Sequence, residues 1–218
     1  MQQPPISMTL ERAIRQAAKW HDGQHRKGST LPYMVHPFAV AMILDRMGFA
    51  EDAVIAGLLH DVVEDTEATL EQVETDFGPR VAELVGWCSE RKKDDSGAHR
   101  PWVDRKRDHI EALAAAPTDA RAVVLADKLH NLTSIRFDLD AGRAVWDLFN
   151  ASRDQVIENY RASIERIGGD EPQLAGLVFA CWEALVSVAS DHNLINVGLD
   201  STTQGGSRKN GPAGAPAG

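Results

Sequence analysis

Residues 58–66 read LLHDVVEDT, an apolar run interrupted by His60, Asp61, Glu64 and Asp65. One imidazole and three carboxylates so close together can ligate a divalent cation, activate water or carry protons. On a helix, at about 100° per residue, the four fall within about 140° of arc. Leu58, Leu59, Val62 and Val63 take the other side. That much also describes the solvated face of an ordinary amphipathic helix. The preceding turns change the reading. Ala53, Val54 and Gly57 occupy the same face one or two turns earlier, so the helix is apolar nearly all round before the acids begin. This is the pattern of a buried helix, and its polar face must line a pocket or an ion site. Buried carboxylates are costly unless paired or coordinated, and neighbouring like charges repel without a cation among them.

One helix presents only part of a coordination sphere. His36 lies in YMVHPF, directly before Pro37. A residue before proline is pushed away from helical geometry, which places His36 at the mouth of a helix. Asp127 lies in VVLADKLHNL, with Asn131 and Ser134 on its face and His130 at the edge of that face. His36, His60, Asp61 and Asp127 together offer two nitrogens and two oxygens. Such a mixed set suits Mn²⁺ or Fe²⁺, with Zn²⁺ and Mg²⁺ as further options. The His-Asp dipeptide alone is common by chance.

These groups need elements to bring them together, and the rest of the chain reads as helices with short breaks. Residues 8–21 are amphipathic, with Thr9 a candidate N-cap, and DGQHRKGSTLP is a loop of turn residues. Pro37 is read as opening a helix, PFAVAMILDRM, closed by Gly48, and residues 51–64 as one further helix. Thr69 and Gln72 form a capping-box pattern. Phe77-Gly78-Pro79 ends that helix, RVAELVGWCSE follows as another, and 91–101 is a polar loop. Helices are expected over 102–115, 119–136, 142–167 and 171–191. With no strand pair, repeat or long heptad run, the expected fold class is all-α, a globular helical bundle.

The length of 218 residues points to one domain over 1–198 and a Gly/Pro/Ser-rich tail over 199–218, expected to be disordered. A net charge of −9 disfavours wrapping a nucleic acid polymer but allows a small phosphate ligand held by local basic groups. Cys88 and Cys181 form neither a disulfide framework nor a CxxC pattern, which fits a reducing cytoplasm. The first residues carry no secretion pattern. LAGLVFACWEALVSVA (174–189) contains Glu183 and reads as a core helix rather than a membrane span.

Four segments in order, HDGQHRKG…PYMVHP, LLHDVVEDT, FGPRVAELV and ADKLHNL, resemble those of the HD-domain hydrolases of the RelA/SpoT type. The similarity runs from about residue 12 to 136 and looks like that of a small, hydrolase-only member. It implies a helical HD fold and one Mn²⁺ ion. In that family the ion is held by residues falling on His36, His60, Asp61 and Asp127, the four that the wheel selects. Glu64 and Asp65 fall on the family's catalytic acidic pair. The implied substrate is guanosine tetra- or pentaphosphate, losing its 3′-pyrophosphate to leave GDP or GTP. Arg26 and Lys27 match basic positions near the nucleotide, and Asn131 matches a residue contacting the nucleoside. The implied partner is therefore a small nucleotide, not a nucleic acid polymer or a membrane.

The match departs over 87–110, which lacks the threonine-lysine pattern of the long enzymes. Trp102, Arg105 and Lys106 resemble a cluster in other small HD hydrolases; they either bind phosphate or cap a helix and pack on the core. This departure keeps open a phosphohydrolase for another nucleotide or phosphoester, and a non-catalytic nucleotide-sensing module. Other features have plain structural readings. His21 and His25 stand at metal-binding spacing but with Gly23 between them, and read as structural. His130 reads as supporting the site, Lys128 as exposed, and Trp146, Phe149 and Tyr160 as core residues of one helix. The run 91–93 reads as a solvated loop.

Overall fold

A computed structural model describes residues 6–90 and 97–190, without the side chain of Trp102. The expected tail, the run 91–93 and the role of Trp102 fall outside the described part. Helix α1 spans Met8–Trp20, α2 Val35–Arg46, α3 Glu51–Leu59, α4 Val62–Asp65, α5 Leu70–Phe77 and α6 Pro79–Cys88. Then come α7 Trp102–Leu113, α8 Thr118–Asp140, a 3₁₀ turn Val145–Leu148, α9 Arg153–Gly168, a 3₁₀ turn Pro172–Leu174 and α10 Ala175–Ala189. The described residues hold no strand, only an isolated bridge between His25 and Pro32. The fold class is all-α, as the periodicity predicts.

Two helices make the centre. In α3 every residue from Ala53 to Leu59 is buried, so this helix is enclosed on all sides. Helix α8 carries the run Ala122–Ala126 through the middle and packs against α2, α3, α6, α9 and α10. The α2–α3 crossing is close because Gly57 has no side chain. A Cβ there would meet Leu44 Cδ1 at 2.7 Å and the α2 backbone at Ala41 at 3.4 Å.

Several boundaries differ from the sequence reading; Ser7 rather than Thr9 caps α1, and three further differences bear on the site. Helix α2 begins at Val35, not Pro37, so His36 sits within its first turn. Turn hydrogen bonds from Val35 N–H to Pro32 O and from His36 N–H to Tyr33 O carry the chain in. Pro37 then stands where a helix needs no N–H. The expected helix over 51–64 is broken at His60–Asp61. The Gly57 carbonyl, which the Asp61 N–H would use in a continuous helix, is engaged by His60 Nδ1 at 2.8 Å. The expected helix over 142–167 is a 3₁₀ turn, a loop and α9. Gly142 at φ +71° ends α8, and Ser152 and Gln155 form a capping box that starts α9 afresh. Trp146, Phe149 and Tyr160 therefore do not share a helix.

The segment Pro172–Ala189 is long and apolar enough to cross a membrane, with a mean hydropathy of 1.4. In the fold, Leu177, Cys181, Leu185 and Val188 are buried, and α10 packs on α8 and α9. The core-helix reading holds for one face, while Phe179 and Val186 are exposed on another.

The α2–α3 contact gives a stability prediction. Gly57→Val is expected to lower unfolding free energy by about 1–3 kcal/mol through overpacking, measured by urea denaturation; a neutral change would contradict the close crossing.

Candidate functional site

His36, His60, Asp61 and Asp127 meet at one end of a cavity of about 320 Å³. His36 comes from the first turn of α2, His60 and Asp61 from the break between α3 and α4, and Asp127 from the middle of α8. The chosen ligand atoms of His36, His60 and Asp127 all lie within 4.8 Å of one another. His36 Nε2 is 3.2 Å from Asp127 Oδ1 and 3.6 Å from Asp61 Oδ2. His60 Nε2 is 3.0 Å from Asp61 Oδ2 and 4.0 Å from Asp127 Oδ1. Two ligands held at about 2.0–2.2 Å from one ion stand at most about 4.4 Å apart, so the group of His36, His60 and Asp127 comes close to the dimensions of a coordination sphere, with Asp61 beside it.

The partners of the two imidazoles indicate their tautomers. His60 Nδ1 donates to the Gly57 carbonyl at 2.8 Å, which leaves Nε2 with a lone pair. That Nε2 is buried and has no hydrogen-bond partner. His36 Nδ1 lies 2.7 Å from His130 Nδ1. Burial, then the neighbouring His36, pull His130 down to about 4, so it is neutral and can accept. In the tautomer in which His36 Nδ1 donates to His130, His36 Nε2 also presents a lone pair. Two imidazole lone pairs and two carboxylates aimed at one point repel unless a cation lies among them. The residues present fit a divalent ion. A proton on His60 Nε2 can stand in for that cation. Burial opposes charge on His60, but Asp61 and then Asp127 outweigh it and raise the imidazole to about 9.

Each carboxylate is oriented from behind. Asp127 Oδ2 accepts from Lys128 Nζ at 2.8 Å, and Oδ1 from Asn131 Nδ2 at 2.5 Å. Lys128, expected to be exposed, is instead turned into the cavity wall. Burial opposes charge on Asp127, and Lys128 followed by His36 holds it well below the carboxylate range. Asn131 also accepts from Arg26 at 2.8 Å. Asp61 Oδ2 accepts from Tyr33 O–H at 2.6 Å, and the same hydroxyl is 3.3 Å from Asp65 Oδ2. Gln24 Nε2 donates to the Asp65 carbonyl at 2.7 Å, and its Oε1 is held by His21 Nδ1 at 2.7 Å. His21 is thus structural, tying the loop after α1 to the short helix α4.

Glu64 and Asp65 line the cavity beside the cluster. Glu64 Oε2 accepts from the Glu90 N–H at 3.4 Å. Lys106 lines the cavity and pairs with the Glu90 carboxylate, whereas Arg105 does not line it and stands with its Nη1 3.5 Å from Glu90 Oε2. Lys27 does not reach this cavity. It lines a neighbouring one of about 590 Å³, which shares Arg26, Tyr33, Asn131, Phe149 and Tyr160 with the first. Sequence reasoning assigned no site role to Tyr33, Gln24, Glu90, His109 or Tyr160. Only the PYMVHP and HDGQHRKG segments, which contain Tyr33 and Gln24, carried a signal for two of these.

A helical bundle that gathers a histidine, a His-Asp pair and a distant aspartate around one point is the arrangement of an HD domain. Residues 13–154 match the family model described as HD domain, and the chain belongs to that family. It is 40% identical over 128 residues to a GTP pyrophosphokinase of Streptomyces coelicolor, covering 59% of this chain and 15% of that protein. It is 42% identical over 122 residues to guanosine-3′,5′-bis(diphosphate) 3′-pyrophosphohydrolase MESH1 of Homo sapiens, covering 55% of this chain and 65% of that protein. The chain thus spans less than two thirds of these relatives. Among solved structures, one described as a metazoan ortholog of SpoT that hydrolyzes ppGpp aligns with a TM-score of 0.68 at 32% identity. That alignment covers 84% of this chain and 96% of the other. The lmo0812 protein of Listeria monocytogenes aligns with a TM-score of 0.61 at 34% identity, over 71% of this chain and 94% of the other.

The Tyr33 bond gives a test of the support behind the cluster. Tyr33→Phe removes the donor to Asp61 and is expected to weaken Mn²⁺ binding by about 10-fold or more. Isothermal titration with Mn²⁺ measures this, and unchanged affinity would show that Tyr33 does not orient Asp61.

Proposed function

We propose that this protein is a Mn²⁺-dependent hydrolase that removes the 3′-pyrophosphate of guanosine tetra- or pentaphosphate, leaving GDP or GTP. The observation that carries this reading is the junction, in one cavity, of the four-residue cluster with the Glu64/Asp65 pair and a cationic wall. The relatives support the substrate: one of them is named for this pyrophosphohydrolase activity, and a similar structure is described as hydrolyzing ppGpp.

In this reading His36, His60, Asp61 and Asp127 hold the ion. When bound, it supplies Lewis acidity that favours deprotonation of water and polarises a phosphoryl oxygen. Glu64 takes the proton from the attacking water, and Asp65, oriented through Tyr33 and Gln24, assists by proton transfer. Water attacks phosphorus, the bond from phosphorus to the ribose 3′ oxygen breaks, and that oxygen leaves protonated. Lys106 faces the departing pyrophosphate, with Arg105 beside its partner Glu90, while Arg26, Lys27 and Asn131 hold the nucleoside and its 5′-phosphates in the adjoining cavity. The ligand is a small nucleotide in the cytoplasm, and the −9 charge of the chain disfavours a polymeric one.

Pyrophosphate release from guanosine tetraphosphate with Mn²⁺ tests the reading. Glu64→Ala is expected to lower kcat by about 10²–10⁴-fold, the usual contribution of a general base, and Asp61→Ala to abolish Mn²⁺-dependent release. If the wild type leaves this nucleotide intact but cleaves others, the substrate is a different phosphoester. The departure of 87–110 from the family pattern motivates that second reading, and a substrate panel with several metals separates the two.

A further inference from the structure

Opposite the ion cluster, the cavity wall joins the chain after α6 to helix α7 through one carboxylate. The Glu90 side chain is 8% exposed, and it accepts from Lys106 Nζ. Its Oε2 lies 3.5 Å from Arg105 Nη1, and its backbone N–H faces Glu64 Oε2 at 3.4 Å. Burial opposes its charge, but Lys106 and then His109 and Arg105 hold its carboxyl below the usual range, so it is ionised. The cation assigned to the substrate's phosphate, Lys106, is therefore already committed to an anion of the protein itself.

The charge balance of the cavity makes this consequential. Asp61, Glu64, Asp65, Glu90 and Asp127 line it against the cations Arg26, Lys106 and Lys128. Lys128 is tied to Asp127 at 2.8 Å. One divalent ion brings five carboxylates and three cations to neutrality. A polyanionic group entering a neutral cavity gains Lys106 only by taking it from Glu90. A carboxylate and a phosphate oxygen compete for the same donors with similar geometry.

The geometry points to Glu90 as an anionic placeholder: it holds Lys106 in position in the free protein, with Arg105 beside it, and is displaced from Lys106 by the substrate's pyrophosphoryl group. The inference rests on the reading of Lys106 as a phosphate contact. It makes Glu90 a positioning residue that sets specificity. Exchange favours a multiply charged pyrophosphoryl group that also reaches the ion, over a phosphate monoester that cannot do both.

The test is binding of inorganic pyrophosphate to Mn²⁺-loaded protein, followed by isothermal titration. Glu90→Gln keeps the shape and removes the charge, and is expected to tighten binding about tenfold (1.4 kcal/mol). KM for the nucleotide is expected to fall with it. In a Lys106→Met background the same substitution should gain about threefold or less, because the competition has lost its main donor. A merely structural Glu90 would leave pyrophosphate binding unchanged or weaker in Glu90→Gln, which would overturn the proposal. So would a full tenfold gain persisting in Lys106→Met, or pyrophosphate binding to neither wild type nor variant. Should Glu90→Gln not fold, Glu90→Asp withdraws the carboxylate by one methylene. It is expected to tighten binding by a smaller factor, and unaltered binding there overturns the proposal as well. Since the readout is binding, graded pyrophosphate affinity in a protein that leaves guanosine tetraphosphate intact supports the placeholder and removes only the substrate assignment.

Discussion

Four acceptor groups facing one buried point are the constraint on which the structure turns. The other nitrogens of His36 and His60 are engaged by His130 and by the Gly57 carbonyl, which leaves both Nε2 atoms turned to that point. Asp61 and Asp127 are fixed by Tyr33, Lys128 and Asn131. Each arrangement alone would be an electrostatic cost in a closed interior. Together they form a cage whose repulsion one divalent cation converts into attraction. Donors behind the cage hold both of its carboxylates in place.

The fold can be understood as what that cage requires. Helix α3 is enclosed on every side so that its end can deliver His60 and Asp61 into the interior. Gly57 serves twice: its missing side chain lets α2 approach closely enough to bring His36 in, and its carbonyl receives the His60 imidazole. Helix α8 supplies Asp127, Lys128 and Asn131 from one stretch, joining the ion site to the nucleotide side through Arg26. The loop between α1 and α2 is pinned at both of its functional ends, by Gln24 to Asp65 and by Tyr33 to Asp61.

Much of this was legible in the sequence, and the reasons for the gaps are physical. The apolar surroundings of Asp127 and of LLHDVVEDT were enough to bring His36, His60, Asp61 and Asp127 together on paper, since buried polar groups must find one another. The wheel that placed Glu64 and Asp65 assumed an unbroken helix. The break at His60–Asp61 was hidden because both residues keep helical dihedral angles, with φ of −60° and −98°, and no glycine or proline marks it. Lys128 was misjudged as exposed because an isolated lysine carries no sign of burial; its partner is the neighbouring Asp127. Glu90 was invisible for a different reason. It lies where the chain departs from the family pattern, and its meaning depends on Lys106, sixteen residues away on α7, which only the folded chain brings opposite it.

The central claim is that His36, His60, Asp61 and Asp127 form one divalent-ion site. Anomalous diffraction from a crystal of the protein grown with Mn²⁺ tests it most directly. The account predicts a single strong peak within about 2.0–2.3 Å of both imidazole Nε2 atoms and of a carboxylate oxygen from each aspartate. A cluster that remains free of metal at saturating Mn²⁺, or a peak bound elsewhere in the cavity with these four groups uninvolved, would contradict it.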